Sequence, residues 1–413
     1  MIDEAAFLAA LEANGVSFFA GVPDSLLQPF CAHLASTVPA EQHVIAANEG
    51  AAVGLAAGYY LATGALGCVY MQNSGLGNAV NPLASLMDAE VYGIPALLLI
   101  GWRGEITGSG QVADEPQHVK QGRITLPLLD CLEIPHALLE AETSDPAGLV
   151  GRLVGEARAR SAPVALVVRK GTFAGDRALR PGGLASEPTQ PSPSLTRQPL
   201  TPQPLARQSL ARQSLAREDA LKAVAAALPD HAVVVGTTGK ASRELYEIRR
   251  AAGVAPDRDF LCVGSMGHAL QIASGIALAR PDKTVACIDG DGAMIMHMGG
   301  MTTSATLPNL LHIVINNGAH ESVGGQPTRG FAIDMPALAR ACGYGTAWRV
   351  DDRAEIAGAI AKALAGGRSA FLEIRTTATS RPDLGRPAAA PRDAMRGFMR
   401  SLGTPQDASP RRT

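Results

Sequence analysis

The chain is expected to fold as two α/β domains, each a doubly wound parallel sheet. Three observations predict this. Short apolar runs with strand character alternate with segments of helical spacing in both halves. The composition is 46% hydrophobic and only 18% charged, with 44 glycines in 413 residues, which suits many strand–helix turns around real cores. Between the halves lies a stretch rich in Pro, Ser, Arg and Gln, with a Leu-Ala-Arg near-repeat, which cannot bury a core.

In order, residues 5–14 have helical spacing through Phe7, Leu8 and Leu11, and 17–20 read as a strand. A turn at 21–24 precedes a helix over 25–34, for which Ser25 and Gln28 suit a capping box. A strand at 44–46, a helix over 49–62 stopped by Gly64 and a strand at 67–71 follow. A helix over 76–87, a strand at 96–100, a helix near 146–158 and a strand at 163–168 complete the first domain, set at 1–176. The linker is set at 177–217, with the alternative that its Leu-Ala-Arg units extend the next helix backwards. The second domain, 218–385, repeats the alternation with helices at 218–227, 265–279 and 354–364 and strands at 232–235, 258–263, 284–288, 310–315 and 370–374. Residues 386–413 are Pro/Arg-rich and expected to be a flexible tail, with a short helix at 393–401 as the alternative.

Several classes of function are disfavoured. A net charge of −2 gives no electrostatic footprint for nucleic acid or membrane. The six cysteines form no CxxC pair, so neither a disulfide framework nor a zinc site is implied. No apolar run spans a bilayer, and Met1-Ile2-Asp3-Glu4 lacks the layout of a signal peptide, so a cytoplasmic location is expected.

The chemistry concentrates where strands end. Gly290-Asp291-Gly292 follows the strand at 284–288, and Asn316-Asn317 follows the strand at 310–315. Neighbouring strand ends of an open parallel sheet face the ligand crevice. A carboxylate and an amide oxygen there are hard ligands of the kind magnesium takes. Taken alone, two Gly/Asn turns would give the same letters.

This spacing resembles the diphosphate-binding motif of thiamine diphosphate enzymes. The resemblance implies that Asp291, Asn317 and the carbonyl of Ala319 hold magnesium, with Gly290 and Gly292 against the diphosphate. Glu49, which opens a small-residue helix after Asn48, takes the place of the carboxylate that contacts the aminopyrimidine. On its residues alone, Glu49 is a first-turn charge behind an Asn cap. Two domains with no third between them, together with Gly21-Val22-Pro23-Asp24-Ser25, Gly101-Trp102-Arg103-Gly104-Glu105 and the 114–122 segment, resemble the short phosphonopyruvate and sulfopyruvate decarboxylases.

That group implies decarboxylation of a small anionic 2-oxo acid, 3-phosphonopyruvate first and sulfopyruvate as the alternative. A cofactor-binding regulatory chain is the non-enzyme alternative. Asp24 and His118 would handle protons. Ser25, Arg103, Lys120 and Gln121 would meet the head group, the last two from a loop shared with His118. In the second domain Gly239, Ser265 and Met266 would flank the cofactor. In thiamine enzymes the sites form between chains, so the resemblance implies a homodimer or larger assembly, with the alternative that the 177–217 segment lets one chain fold back on itself; no nucleic-acid or membrane partner is expected.

Overall fold

The computed structural model describes residues 1–175 and 215–405. The first domain runs α1 (Glu4–Ala13), β1 (Val16–Gly21), α2 (Gln28–Thr37), β2 (His43–Ile45), α3 (Glu49–Thr63), β3 (Leu66–Gln72) and α4 (Leu76–Pro82). It continues with β4 (Ala96–Gly101), a two-residue hairpin of β5 (Ile106–Thr107) and β6 (Gly110–Gln111), α5 (Pro116–Cys131), β7 (His136–Leu139), α6 (Pro146–Arg160) and β8 (Val164–Val168).

The second domain begins α7 (Arg217–Ala227), β9 (Val233–Gly236), α8 (Lys240–Ala251), β10 (Asp259–Leu261), α9 (Ala269–Ala279), β11 (Val285–Gly290), α10 (Asp291–Met296) and α11 (Met301–Ser304). It ends β12 (Leu310–Asn316), β13 (Ala319–His320), β14 (Gln326–Pro327), α12 (Met335–Ala341), β15 (Thr346–Val350), α13 (Arg353–Ala365), β16 (Ala370–Arg375) and α14 (Pro391–Ser401).

The sheets are ordered β2-β1-β3-β4-β8-β7 and β10-β9-β11-β12-β16-β15, and the strand pairs within them are parallel. Taken in chain order within each domain, both read 2-1-3-4-6-5. The central strands are apolar on both faces because helices cover both; β4 and β8 are buried from end to end. Strand order reverses beside β1 in one sheet and beside β9 in the other, which opens the ligand crevices.

Three apolar layers result. One lies outside the first sheet under α1, α2 and α6, and one outside the second under α7 and α13. The third is shared between the sheets and contains residues of α3, α9 and α14. In that layer α3 and α9 touch backbone to backbone. A Cβ on Gly58 would lie 2.0 Å from the Ile272 carbonyl oxygen, and one on Gly275 would lie 2.1 Å from that of Leu55. Only glycine fits at these two positions.

Four expectations are corrected. The helix after the first turn starts at Gln28, not Ser25, because Pro29 fixes its first turn and no side chain caps it. The 114–122 segment, expected as a polar loop, instead leads into a helix over 116–131 that starts at Pro116. Residues 386–405 are not a loose tail and the alternative short helix is present: α14 buries Met395, Phe398 and Met399, and the Thr404 hydroxyl donates to the Leu61 carbonyl at 2.9 Å. Arg217, placed at the end of the linker, is the buried first residue of α7. The linker from 177 to 214 lies outside the described residues.

Candidate active site

The second sheet carries a cavity of about 90 Å³ at its strand ends, lined by Thr237, Thr238, Met266, Gly290, Asp291, Gly292, Asn317 and Ala319 among others. Asp291 opens α10 directly after β11, so the strand delivers its carboxylate to this cavity. It is 2% exposed, accepts a hydrogen bond from the Thr328 hydroxyl, and has its carboxyl raised by burial.

The two asparagines have different jobs. Asn316 is fully buried and donates to Glu373 Oε1 at 2.7 Å, tying β12 to β16. Asn317 lines the cavity; its amide nitrogen donates to Glu321 Oε2 and its Oδ1 accepts from the Ala319 amide, both at 3.1 Å. Asp291, Asn317 and Ala319 therefore share one cavity and offer a carboxylate, an amide oxygen and a carbonyl. That donor set suits magnesium.

Features nearby suit a diphosphate. Thr237 lines the cavity, and its hydroxyl is buried with no hydrogen-bond partner. Ser265 is buried with its hydroxyl equally unpartnered and its backbone left-handed at φ 52°, a strained state for a residue with a side chain. Lys240, the first residue of α8, also lines the cavity. Gly239 precedes it at φ 116°, and a Cβ there would lie 2.9 Å from the Ser322 hydroxyl. Gly239 and Ser265 thus sit beside the lining, while Met266 is in it.

Glu49 is the first residue of α3, and Asn48 caps that helix by accepting from the Ala51 amide at 2.8 Å. The capping reading is therefore correct as local structure, and it leaves the carboxylate free for other use. Glu49 is 8% exposed; its Oε2 accepts from the Asn78 amide at 2.8 Å. A Cβ on Gly75 would lie 2.1 Å from Oε1, so that glycine makes room for the carboxylate.

A second cavity, about 310 Å³, lies at the strand ends of the first sheet. Ser25, Arg103, Glu105, Asp114 and Lys170 line it. Asp114 grips the Arg103 guanidinium at both oxygens, 2.8 and 2.6 Å, while Arg103 NH1 donates to the Ser25 hydroxyl at 3.0 Å. The hydrogen bonds from Arg103, helped by the Glu115 and Gly104 amides and the Arg103 charge, hold the Asp114 carboxyl well below the usual range.

Asp24 stands beside this cavity, 5% exposed. Its Oδ2 accepts from the Leu26 amide at 2.9 Å, and its Oδ1 has no partner. Burial raises its carboxyl against the pull of the Leu26, Leu27 and Ser25 amides and of Arg103.

Ser25 and Arg103 are thus brought together as expected, and His118, Lys120 and Gln121 are not among the lining residues. They lie on α5, with His118 buried against Gly104 and Lys120 exposed. Lys170, Asn78 and Arg217 are not picked out by the sequence reading. For Lys170 a signal exists: it follows apolar β8 as Arg103 follows β4, and those strands are neighbours.

Known proteins match both halves. The N-terminal TPP-binding domain of thiamine pyrophosphate enzymes matches residues 4–124, and the C-terminal TPP-binding domain matches 235–374. The chain is 36% identical over 424 residues to phosphonopyruvate decarboxylase of Streptomyces viridochromogenes, covering 98% of this chain and 96% of that one. It belongs to the phosphonopyruvate decarboxylase family. This chain is a thiamine pyrophosphate-dependent decarboxylase. A sulfopyruvate decarboxylase of Methanosarcina acetivorans is 28% identical over 364 residues, covering 86% of this chain and 87% of that one. Benzoylformate decarboxylase from Polynucleobacter necessarius has the same fold, at a TM-score of 0.68 and 14% identity over 92% of this chain and 99% of that one. Among the described residues no helix of this family member is long and apolar enough to cross a membrane.

Proposed function

We propose that the chain decarboxylates 3-phosphonopyruvate to phosphonoacetaldehyde and carbon dioxide, using thiamine diphosphate and magnesium. The observation that carries this reading is the 36% identity to a phosphonopyruvate decarboxylase over nearly all of both chains. The first-domain cavity supports it: Asp114 occupies the Nε and NH2 edge of Arg103 and fixes its plane, which leaves the NH1 side, shared with Ser25, for phosphonate oxygens. Lys170 adds a second cation to the same lining.

When bound, thiamine diphosphate supplies the electron sink that takes up the pair released as carbon dioxide leaves. The chain's own residues do the rest. Asp291, Asn317 and the Ala319 carbonyl hold magnesium, and Lys240 with Thr237 and Thr238 meets the diphosphate. Glu49, with Oε2 satisfied by Asn78, uses Oε1 to hold a proton on the aminopyrimidine nitrogen. Ser25 and Arg103 orient the head group. Asp24, with a raised carboxyl and a free Oδ1, holds the proton for the carbon that has lost carbon dioxide. Among the described residues the second-domain cavity is lined from 217 onward and Glu49 is not in its lining, which leaves Glu49 free to serve a cofactor held by another chain. This supports a homodimer or larger assembly with shared sites.

Sulfopyruvate is the second reading, favoured by the 28% match along most of the chain. Carbon dioxide release from phosphonopyruvate, sulfopyruvate and pyruvate, each with and without thiamine diphosphate and magnesium, tests both. Phosphonopyruvate is expected to be turned over fastest and only with both additions. Faster turnover of sulfopyruvate selects the second reading, and equal turnover of pyruvate sinks both.

A further inference from the structure

We propose that Glu321 is the positioning residue that turns the amide of Asn317 so that its oxygen faces the cation. The inference rests on the magnesium site described above and assigns a role to a residue outside the ligand set.

An amide side chain has two ends of similar size, and only its oxygen can ligate a cation. Something must therefore fix which end faces inward. A carboxylate can only accept hydrogen bonds, so a carboxylate beside an Asn compels the nitrogen to face it. Glu321 Oε2 accepts from the Asn317 amide nitrogen at 3.1 Å. Oδ1 is thereby turned away from Glu321 and lies against the Ala319 amide, on the chain turn that also supplies the third expected ligand.

A carboxylate so close to a diphosphate site would repel it unless neutralised. Two cations do this. Arg217 NH1 pairs with Glu321 Oε2, and Lys240 Nζ lies 3.6 Å from Oε1. Arg217 is itself fixed by Glu244, whose Oε2 and Oε1 accept from Nε and NH2 at 2.7 Å each. Arg217 and Glu244 side chains are 5% and 0% exposed, so the fork is rigid and its direction is set by the core. Two positive and two negative groups make the cluster neutral. Orientation thus passes from Glu244 through Arg217 and Glu321 to Asn317. Partners that orient a ligand from behind commonly carry much of a site's metal affinity.

The test is a Mn²⁺ titration read by electron paramagnetic resonance, with thiamine diphosphate present, on the full chain and on Glu321→Gln. The variant's side chain can donate as well as accept, so Asn317 is no longer compelled. Mn²⁺ affinity is expected to fall about ten- to a hundredfold. At saturating cation kcat should stay within about twofold of the parent, because the bound cation then holds the amide itself. Parent-like Mn²⁺ affinity in Glu321→Gln overturns the inference, as does a kcat that falls while affinity is kept. If the parent itself binds no Mn²⁺, the cation site fails rather than this role alone. Should Glu321→Gln not fold, Glu321→Asp keeps the negative charge but draws the carboxylate back by one methylene from Asn317 and Arg217, which share Oε2. A loss of about tenfold in that variant supports the role, and parent affinity overturns it. If neither variant folds, Glu321 belongs to the fold and the positioning role is wrong.

Discussion

His268 shows how the joint between the domains sets a residue's charge. It precedes α9, is 1% exposed, and its Nε2 has no partner. That nitrogen would lie 2.9 Å from a Cβ on Gly50, so it faces the start of α3 beside Glu49. The His297 ring lies 4.0 Å away, centroid to centroid. Burial first, and then His297, pushes the His268 pKa from 6.5 down to about 4. Between those values the unfolded chain holds a proton that the folded chain does not. The stabilising contribution is therefore complete above 6.5 and is lost as pH falls toward 4. The full loss is of the order of 3 kcal/mol. Denaturant unfolding between about pH 7.5 and about pH 5 should show stability falling with acid, and His268→Gln should flatten that fall. Identical slopes would mean that His268 titrates normally.

At the scale of elements, much of the pattern was legible. Buried strands such as β4 and β8 are continuous apolar runs, and α3 is stopped by Gly64 in the left-handed state expected of a helix end. The failures have physical causes. In α5 the residues 116–124 are mostly polar and face solvent, so the pattern resembled a loop; Pro116 at its first position was the available signal. In α14 the spacing of Met395, Phe398, Met399 and Leu402 is helical, but its Pro/Arg-rich surroundings outweighed it. The Asp291–Asn317 pair is readable because each residue directly follows a strand. The Arg217–Glu321 pair joins residues 104 apart on different elements and left no local trace.

The contact of α3 with α9 gives a test at this same scale. A side chain at Gly58 would meet a backbone carbonyl, which cannot rotate away as a side chain could. Gly58→Ala should therefore cost at least about 2 kcal/mol of stability, seen as a lower urea midpoint at unchanged slope. A midpoint equal to the parent's would mean the helices can separate without loss.

For the whole molecule, the two sheets share one topology and one apolar layer, yet neither domain alone holds both Glu49 and Asp291 at a single cavity. Two chains related by a two-fold axis would form two sites, each with Glu49 from one chain and Asp291 from the other. Glu49→Gln and Asp291→Ala chains, each inactive alone, should regain part of the activity when mixed under conditions where subunits exchange. No recovery despite proven exchange rejects shared sites. The glycine seam between α3 and α9 bears on how such an assembly works. Helices locked carbonyl to Cα, with α14 fastened across them by Thr404, leave no slack for one domain to swing or slide against the other during a catalytic cycle. Admission of substrate and escape of aldehyde then fall to small parts at the rim, above all the 318–328 hairpin, and turnover would be paced by a loop's fluctuation rather than by a hinge.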